Sequence, residues 1–288
     1  MQKDGRVVYL SEEYKEYRYW NIPIANTTCL LLGTGTSITQ AAMRMLSQAG
    51  VLVGFCGGGA TPLFAGVEIE WLTPQNEYRP TEYVQRWLSF WFDESKRLDA
   101  AKYLENERLN YICSVWRKDR TFKMEGFDSD SIEKMIDLYR EKISEASSIG
   151  KLLQLEADLT KRLYKHAANI TGLSGFSRQR SHADPANDFL DHGNYLAYGL
   201  AATALWALGI PHAFALMHGK TRRGALVFDI ADLAKDAIVL PNAFIGAKEG
   251  IEDREFRARC LQSFVEHGAL NFMFDQVQNI AIHYGIKP

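Results

Sequence analysis

The chain has no uninterrupted apolar run long enough to cross a bilayer, no cysteines spaced as CxxC, and no excess of either charge. Each absence removes a class of protein. The most apolar stretch, Tyr195–Met217, is broken by Gly199, Gly209 and the Pro211-His212 pair. About fifteen apolar residues remain there, where a spanning helix needs about twenty, so the stretch reads as a buried core helix and no membrane association is expected. The opening, MQKDGRVVYL, is charged and has no apolar signal core. Cys29, Cys56, Cys113 and Cys260 are far apart in apolar surroundings, which argues against a zinc ribbon or a thioredoxin-type site and fits buried, reduced thiols in the cytoplasm. With 33 Lys+Arg against 35 Asp+Glu the net charge is −2, so a nucleic-acid partner would have to be held by local clusters of cations. The dipeptide His-Asp, required by the His-Asp doublet phosphohydrolases, does not occur, nor does any internal repeat or low-complexity segment.

What is present is ordinary globular material, 47% hydrophobic and 12% aromatic over 288 residues, enough for one large domain or two smaller ones. Val7–Leu10, Thr28–Leu32, Val51–Phe55 and Val67–Trp71 are short, apolar and bounded by turn formers, and are expected to be strands. Ile38–Gln48 between them reads as a helix capped by Thr36 or Ser37 and stopped by Gly50. The polar, proline-containing stretch 73–81 reads as a linker. Helical periodicity then takes over: Tyr83–Tyr103 with an aromatic stripe, Glu105–Arg117, a polar loop Lys118–Asp130, Ser131–Ala146, Lys151–Asn169, Pro185–Leu208, Ala225–Lys235, and Asp253–Ile282 broken near His267-Gly268. The expected class is α+β: a small β-rich domain over 1–72 and a larger all-helical domain over 82–288.

Chemistry concentrates in Leu216–Lys235, LMHGKTRRGALVFDIADLAK. His218 is followed by Lys220, Arg222 and Arg223 with no acid among them, then by Asp229 and Asp232, all in an apolar setting. A histidine and two carboxylates are costly in such a setting unless paired or bound to a metal, and the adjacent cations suit a phosphate. If Ala225–Lys235 is helical, the two aspartates lie on neighbouring turns and can converge. The bland alternatives are a hydrogen-bonded, partly buried histidine, and aspartates bonded to backbone or paired with Arg222 and Arg223. Glu156 is the best further carboxylate, at the edge of the apolar face formed by Leu152, Leu155, Leu159 and Leu163; Asp158 on the same helix points elsewhere. Lys161, Arg162 and Lys165 form either a wet face or a contact for a phosphate backbone. Mixed nitrogen and oxygen ligation of this kind favours Mg²⁺ or Mn²⁺ over zinc, and a phosphodiester is the expected substrate.

A second motif, Gly33-Thr34-Gly35-Thr36-Ser37, follows a strand and precedes a helix, as a dinucleotide fingerprint would. Ile38 replaces the third glycine, and no lysine follows for a phosphate-binding loop. A tight turn is the plainer reading, with a nucleotide-binding enzyme as the alternative.

Together the LLQLEADLTKRLY helix, the DPAN helix start and HGKTRRGALVFDIADLAK resemble the CRISPR-associated spacer-acquisition integrases (Cas-one). The run NIPIANTTCLLLGTGTSITQAAMRMLSQAGVLVGFCGGGATPLF is similar to their type I-F branch. The resemblance implies metal ligands at Glu156, His218 and Asp232, a further site carboxylate at Asp229, a basic site residue at Lys235 and a nearby tyrosine at Tyr198. It implies a β domain that dimerises, and a helical catalytic domain that joins the 3′-hydroxyl ends of short DNA into a repeat array. It also implies a partner, Cas-two, fused in this branch to a helicase-nuclease. Relatives of the branch usually carry a strand and further residues ahead of the segment starting at Gly5, so a shortened β-domain edge is expected. A non-catalytic DNA-binding scaffold remains the other alternative.

Overall fold

A computed structural model of the chain describes residues 1–13, 16–33, 35–55, 70–72, 80–179, 184–219 and 225–288. Gly57-Gly58-Gly59, residues 73–79 of the expected linker, and Lys220, Arg222 and Arg223 lie outside the described residues. The chain divides into two compact units, Met1–Arg79 and Pro80–Pro288.

Among the described residues the first unit contains two three-stranded sheets. In one, β1 (Gln2–Lys3), β2 (Arg6–Glu13) and β3 (Glu16–Ile22) form an antiparallel meander, with Val7 opposite Ile22 and Glu13 opposite Glu16. Asp4 and Gly5 both take positive φ (49° and 71°) between β1 and β2, the backbone a two-residue hairpin turn needs. In the other, β4 (Cys29–Leu32) and β5 (Leu52–Phe55) run parallel through the crossover helix α1 (Gln40–Gln48), and β6 (Glu70–Leu72) pairs antiparallel with β5. Val7, Ala42, Leu46, Val51 and Val53 form the core here.

Two expectations for this unit are corrected. β3 was not foreseen, because Tyr17, Tyr19 and Trp20 are all exposed and the strand is held by its ladder to β2 rather than by a buried face. The cap of α1 is Thr39, whose Oγ1 accepts from Ala42 N at 3.3 Å, not Thr36 or Ser37. Thr36 instead spends its hydroxyl on the Gly33 carbonyl at 2.5 Å. The helix N-terminus therefore begins well past the glycines, unlike a phosphate-cradling loop, where the two adjoin.

The second unit is helical: α2 (Thr81–Trp91), α3 (Glu94–Lys118), α4 (Arg120–Met124), α5 (Ser129–Glu145), α6 (Ile149–Thr171), α7 (Pro185–Ala207), α8 (Ala225–Ala234), a π-helical turn (Lys235–Val239), α9 (Leu240–Glu249), α10 (Asp253–Glu266) and α11 (Ala269–Tyr284). The observed class is α+β, strands first and helices after. The first long helix breaks at Phe92-Asp93 rather than near Leu104. Asp93 caps α3, accepting from Ser95 N at 3.0 Å and Lys96 N at 3.2 Å, while Leu104 is buried in mid-helix. The expected loop after Lys118 contains α4, nucleated by Asp119 Oδ1 accepting from Phe122 N and anchored by buried Phe122. Helix α9 was missed because Pro241 looks like a breaker, yet it sits in the first turn of α9, where a missing N–H costs little.

Every residue of α8 is buried, as befits a helix that is apolar nearly all round; α7, α3 and α11 pack against it. Among the described residues no helix is long and apolar enough to cross a membrane, and Cys113 and Cys260 are free thiols.

Candidate metal centre

Three segments of the helical unit converge beside α8. Helix α6 is capped by Ser148, whose side chain accepts from Lys151 N, and ended by Gly172 in the left-handed region. Its leucines 152, 155, 159 and 163 are buried, which turns Glu156 towards α8 at the margin of the core. Helix α8 supplies Asp232, and the segment leading into it supplies His218. One ligand atom from each of Glu156, His218 and Asp232 lies within 4.8 Å of the others. Glu156 Oε2 is 3.6 Å from His218 Nε2. The side chains of Glu156 and His218 are 16% and 15% exposed and that of Asp232 3%, so solvent reaches the cluster from one side.

Asp229 does not converge with Asp232. It turns back to accept from the backbone N–H groups of Leu216, Met217 and His218 at 2.7, 3.1 and 3.2 Å, and its Oδ1 lies 2.6 Å from His218 Nδ1. The backbone-bonded alternative thus describes this aspartate. Asp229 fixes the imidazole so that Nε2 faces Glu156, the arrangement by which an outer carboxylate orients a ligating histidine. Lys235 closes an ion pair with Asp232, and its Nζ lies 5.5 Å from the centre of the Tyr198 ring. Lys161, Arg162 and Lys165 are exposed on α6. Arg162 pairs at 3.2 Å with Asp158, which also takes the Tyr139 hydroxyl.

Electrostatics separates the two candidate ligand carboxylates. Burial raises the pKa of Glu156, Asp232 adds to it, and Arg108, Lys235 and His218 offset only part. Burial presses Asp232 upward as well, but Lys235, then Arg108 and His218, outweigh it and hold the group below the ordinary carboxylate range. Burial would lower His218, yet the bond from Asp229 and the charge of Asp232 keep it raised. Negative charge that local cations only partly balance, with one imidazole and two carboxylates as donors, fits a hard divalent cation.

A charged network on the far side of Glu156 escaped the sequence reading. Arg108, 2% exposed, donates from Nε to Asp236 Oδ2 at 2.9 Å and from Nη2 to Thr160 Oγ1 at 2.9 Å. Its Nη1 lies 3.3 Å from Glu105 and 3.7 Å from Glu156 Oε1. Burial pushes Glu105 up to about 8 against the pull of Arg108. The signal was available: Glu105 and Arg108 interrupt an apolar face running Ala101, Leu104, Ile112, Val115 at helical spacing. On the other flank His218 forms one wall of a cleft of about 510 Å³ that Trp91, Arg97, Ser148 and Leu153 also line.

Comparison with known proteins gives a consistent picture. The sequence model of the family described as CRISPR associated protein Cas1 matches residues 1–260. A CRISPR-associated endonuclease Cas1 from Pseudomonas aeruginosa is 55% identical over 285 residues, covering 96% of this chain and 88% of that protein. One from Pectobacterium atrosepticum is 52% identical, covering 96% and 87%. Among solved structures, a TtCas1–DNA complex superposes with a TM-score of 0.68 at 23% identity, over 95% of this chain and 89% of that one. A casposase bound to integration product gives 0.71 at 14%, over 94% and 82%. A Cas6-RT-Cas1–Cas2 complex gives 0.69 at 15%, over 98% of this chain and 33% of the other.

Proposed function

The chain belongs to the Cas1 family of CRISPR-associated proteins, and from that premise we propose that it is a divalent-metal-dependent DNA endonuclease and integrase of CRISPR adaptation. The observation that carries the reading is the meeting of Glu156, His218 and Asp232 within 4.8 Å, from segments far apart in sequence. Mg²⁺ or Mn²⁺ bound by these three would polarise a phosphoryl oxygen and stabilise the charge that develops at phosphorus. The remaining chemistry falls to the chain itself. Asp229 holds His218 in the ligating orientation. Lys235 neutralises part of Asp232 and, with Tyr198 beside it, presents a cation to a DNA phosphate. In strand joining, the 3′-hydroxyl oxygen of the short DNA bonds to a repeat phosphorus, the bond to the repeat's own 3′-oxygen breaks, and that oxygen leaves with the proton.

Lys161, Arg162 and Lys165 on α6, with Lys220, Arg222 and Arg223, are assigned to the DNA backbone. The names of the similar structures, a DNA complex and a Cas1–Cas2 complex, support DNA and Cas2 as partners. A Cas2 fused to a helicase-nuclease, a homodimer formed through the strand unit and a cytoplasmic location complete the proposal. A non-catalytic scaffold would have no need to keep the three ligand side chains and their support around one point.

The test is a metal-supplemented cleavage and strand-joining assay on defined DNA. Glu156→Ala, His218→Ala and Asp232→Ala should each abolish both activities, chelation should mimic them, and Asp158→Ala should leave them intact. Wild-type activity in all three alanine variants would refute the assignment. Replacing Arg222 and Arg223 by alanine should weaken DNA binding and lower its salt slope by about 0.9 per lost phosphate contact; an unchanged slope would place both arginines off the DNA path.

A further inference from the structure

Arg108 touches no substrate in this account, yet its bonds tie α6, which carries Glu156, to the turn that directly follows Asp232 and α8. From α3 it reaches α6, through Thr160 at 2.9 Å and Glu156 Oε1 at 3.7 Å. It also reaches the π-helical turn, through two nitrogens on Asp236. That turn begins at Lys235, the partner of Asp232. The carboxylate of Glu156 is thereby divided: Oε1 faces Arg108, while Oε2 faces His218 at 3.6 Å. Thr160 lies one turn further along the same helix, so the guanidinium grips α6 at two successive turns. A planar fork with five donors can hold such acceptors in fixed directions, which a lysine ammonium cannot.

We propose that Arg108 is a positioning residue for the metal centre. By clamping α6 and the π-helical turn with one guanidinium, it sets the direction of Glu156 and its distance from Asp232, and so the affinity for the cation. Thr160 and Asp236 act in the same clamp. Trp116 supplies the internal contrast. It lies on the same helix, is equally buried, and also holds the π-helical turn, donating from Nε1 to the Ala237 carbonyl at 3.1 Å, but it meets α6 by stacking on His166, and its hydrogen bond and ring contacts go to Ala237, Phe127 and His166 rather than to Glu156 or Thr160. The inference rests on the metal reading of Glu156, His218 and Asp232.

The test is calorimetric titration of Mn²⁺ into the DNA-free protein, paired with the melting temperature without metal, for wild type, Arg108→Lys, Thr160→Val and Trp116→Phe. Arg108→Lys and Thr160→Val should weaken Mn²⁺ binding by about 10- to 100-fold, the cost usual for losing an outer-layer partner. Trp116→Phe should lower the melting temperature and leave Mn²⁺ affinity at the wild-type value. Wild-type affinity in both clamp variants, or losses in all three variants that simply track melting temperature, would overturn the inference. If Arg108→Lys does not fold, Thr160→Val decides by the same criteria. A wild-type protein that binds no Mn²⁺ would overturn the metal reading itself, and the clamp with it.

Discussion

At the scale of single residues the proposed centre rests on buried side chains around its candidate ligands. Asp229 is fully buried and accepts from three backbone N–H groups and from His218. Each buried donor left unpaired costs about 1–3 kcal/mol, so Asp229→Ala should destabilise the protein by several times that unit as well as weaken the centre. Chemical denaturation measured beside metal titration would show both losses. Glu105 gives the opposite sign. Its folded pKa, about 8, stands above the ordinary carboxylate value of 4.5 because burial disfavours the charge. The folded state therefore holds a proton that the unfolded chain releases between those values. The contribution of Glu105 is complete below the lower value and is lost as pH rises through the upper one. Glu105→Gln, which cannot ionise, should melt above wild type at about pH 9, and the gap should close on going to pH 5. A gap that does not change with pH would contradict the assignment.

At the scale of elements, legibility followed burial. Helix α6 was readable because its leucines fall at helical spacing, and Glu156 stood out against them; α7 was readable from Asp184, which caps its start by accepting from Asn187 N, and from Pro185 in its first turn. His218, Asp229 and Asp232 could be placed in one site because they share one short stretch. Their division of labour could not, since which face of α8 meets which neighbour is settled by tertiary packing. The burial of Glu105 and Arg108 could be read from the apolar face they interrupt, but their partners Thr160, Glu156 and Asp236 are supplied by tertiary packing. The π-helical turn leaves no periodicity signal, although such turns frequently mark functional sites. Its packing is tight: a Cβ on Gly193 of α7 would meet Val239 Cγ1 well inside van der Waals distance and Phe256 Cζ at 3.1 Å. Overpacking of this kind costs about 1–3 kcal/mol, against about 1 gained in helix propensity. Gly193→Ala should therefore lower the melting temperature, and adding Val239→Ala should recover part of the loss. No recovery would show that the two sites do not press on each other.

At the scale of the whole molecule, the strand unit and the helical unit carry different features. The first carries exposed aromatic residues on its β2–β3 ladder, Tyr9, Tyr19 and Trp20; the second carries every residue assigned to metal and DNA. A net charge of −2 gives no general attraction for a polyanion, so the proposed function assigns DNA binding to local cations and to a metal held between Glu156, His218 and Asp232. That cation is the central claim, and anomalous diffraction from crystals soaked in Mn²⁺ tests it most directly. The account predicts a single peak in each helical unit, about 2.0–2.3 Å from Glu156, His218 Nε2 and Asp232, with Asp229 behind the imidazole and out of reach of the ion. Crystals that show no peak there at millimolar Mn²⁺, or a peak held by other residues, would contradict it.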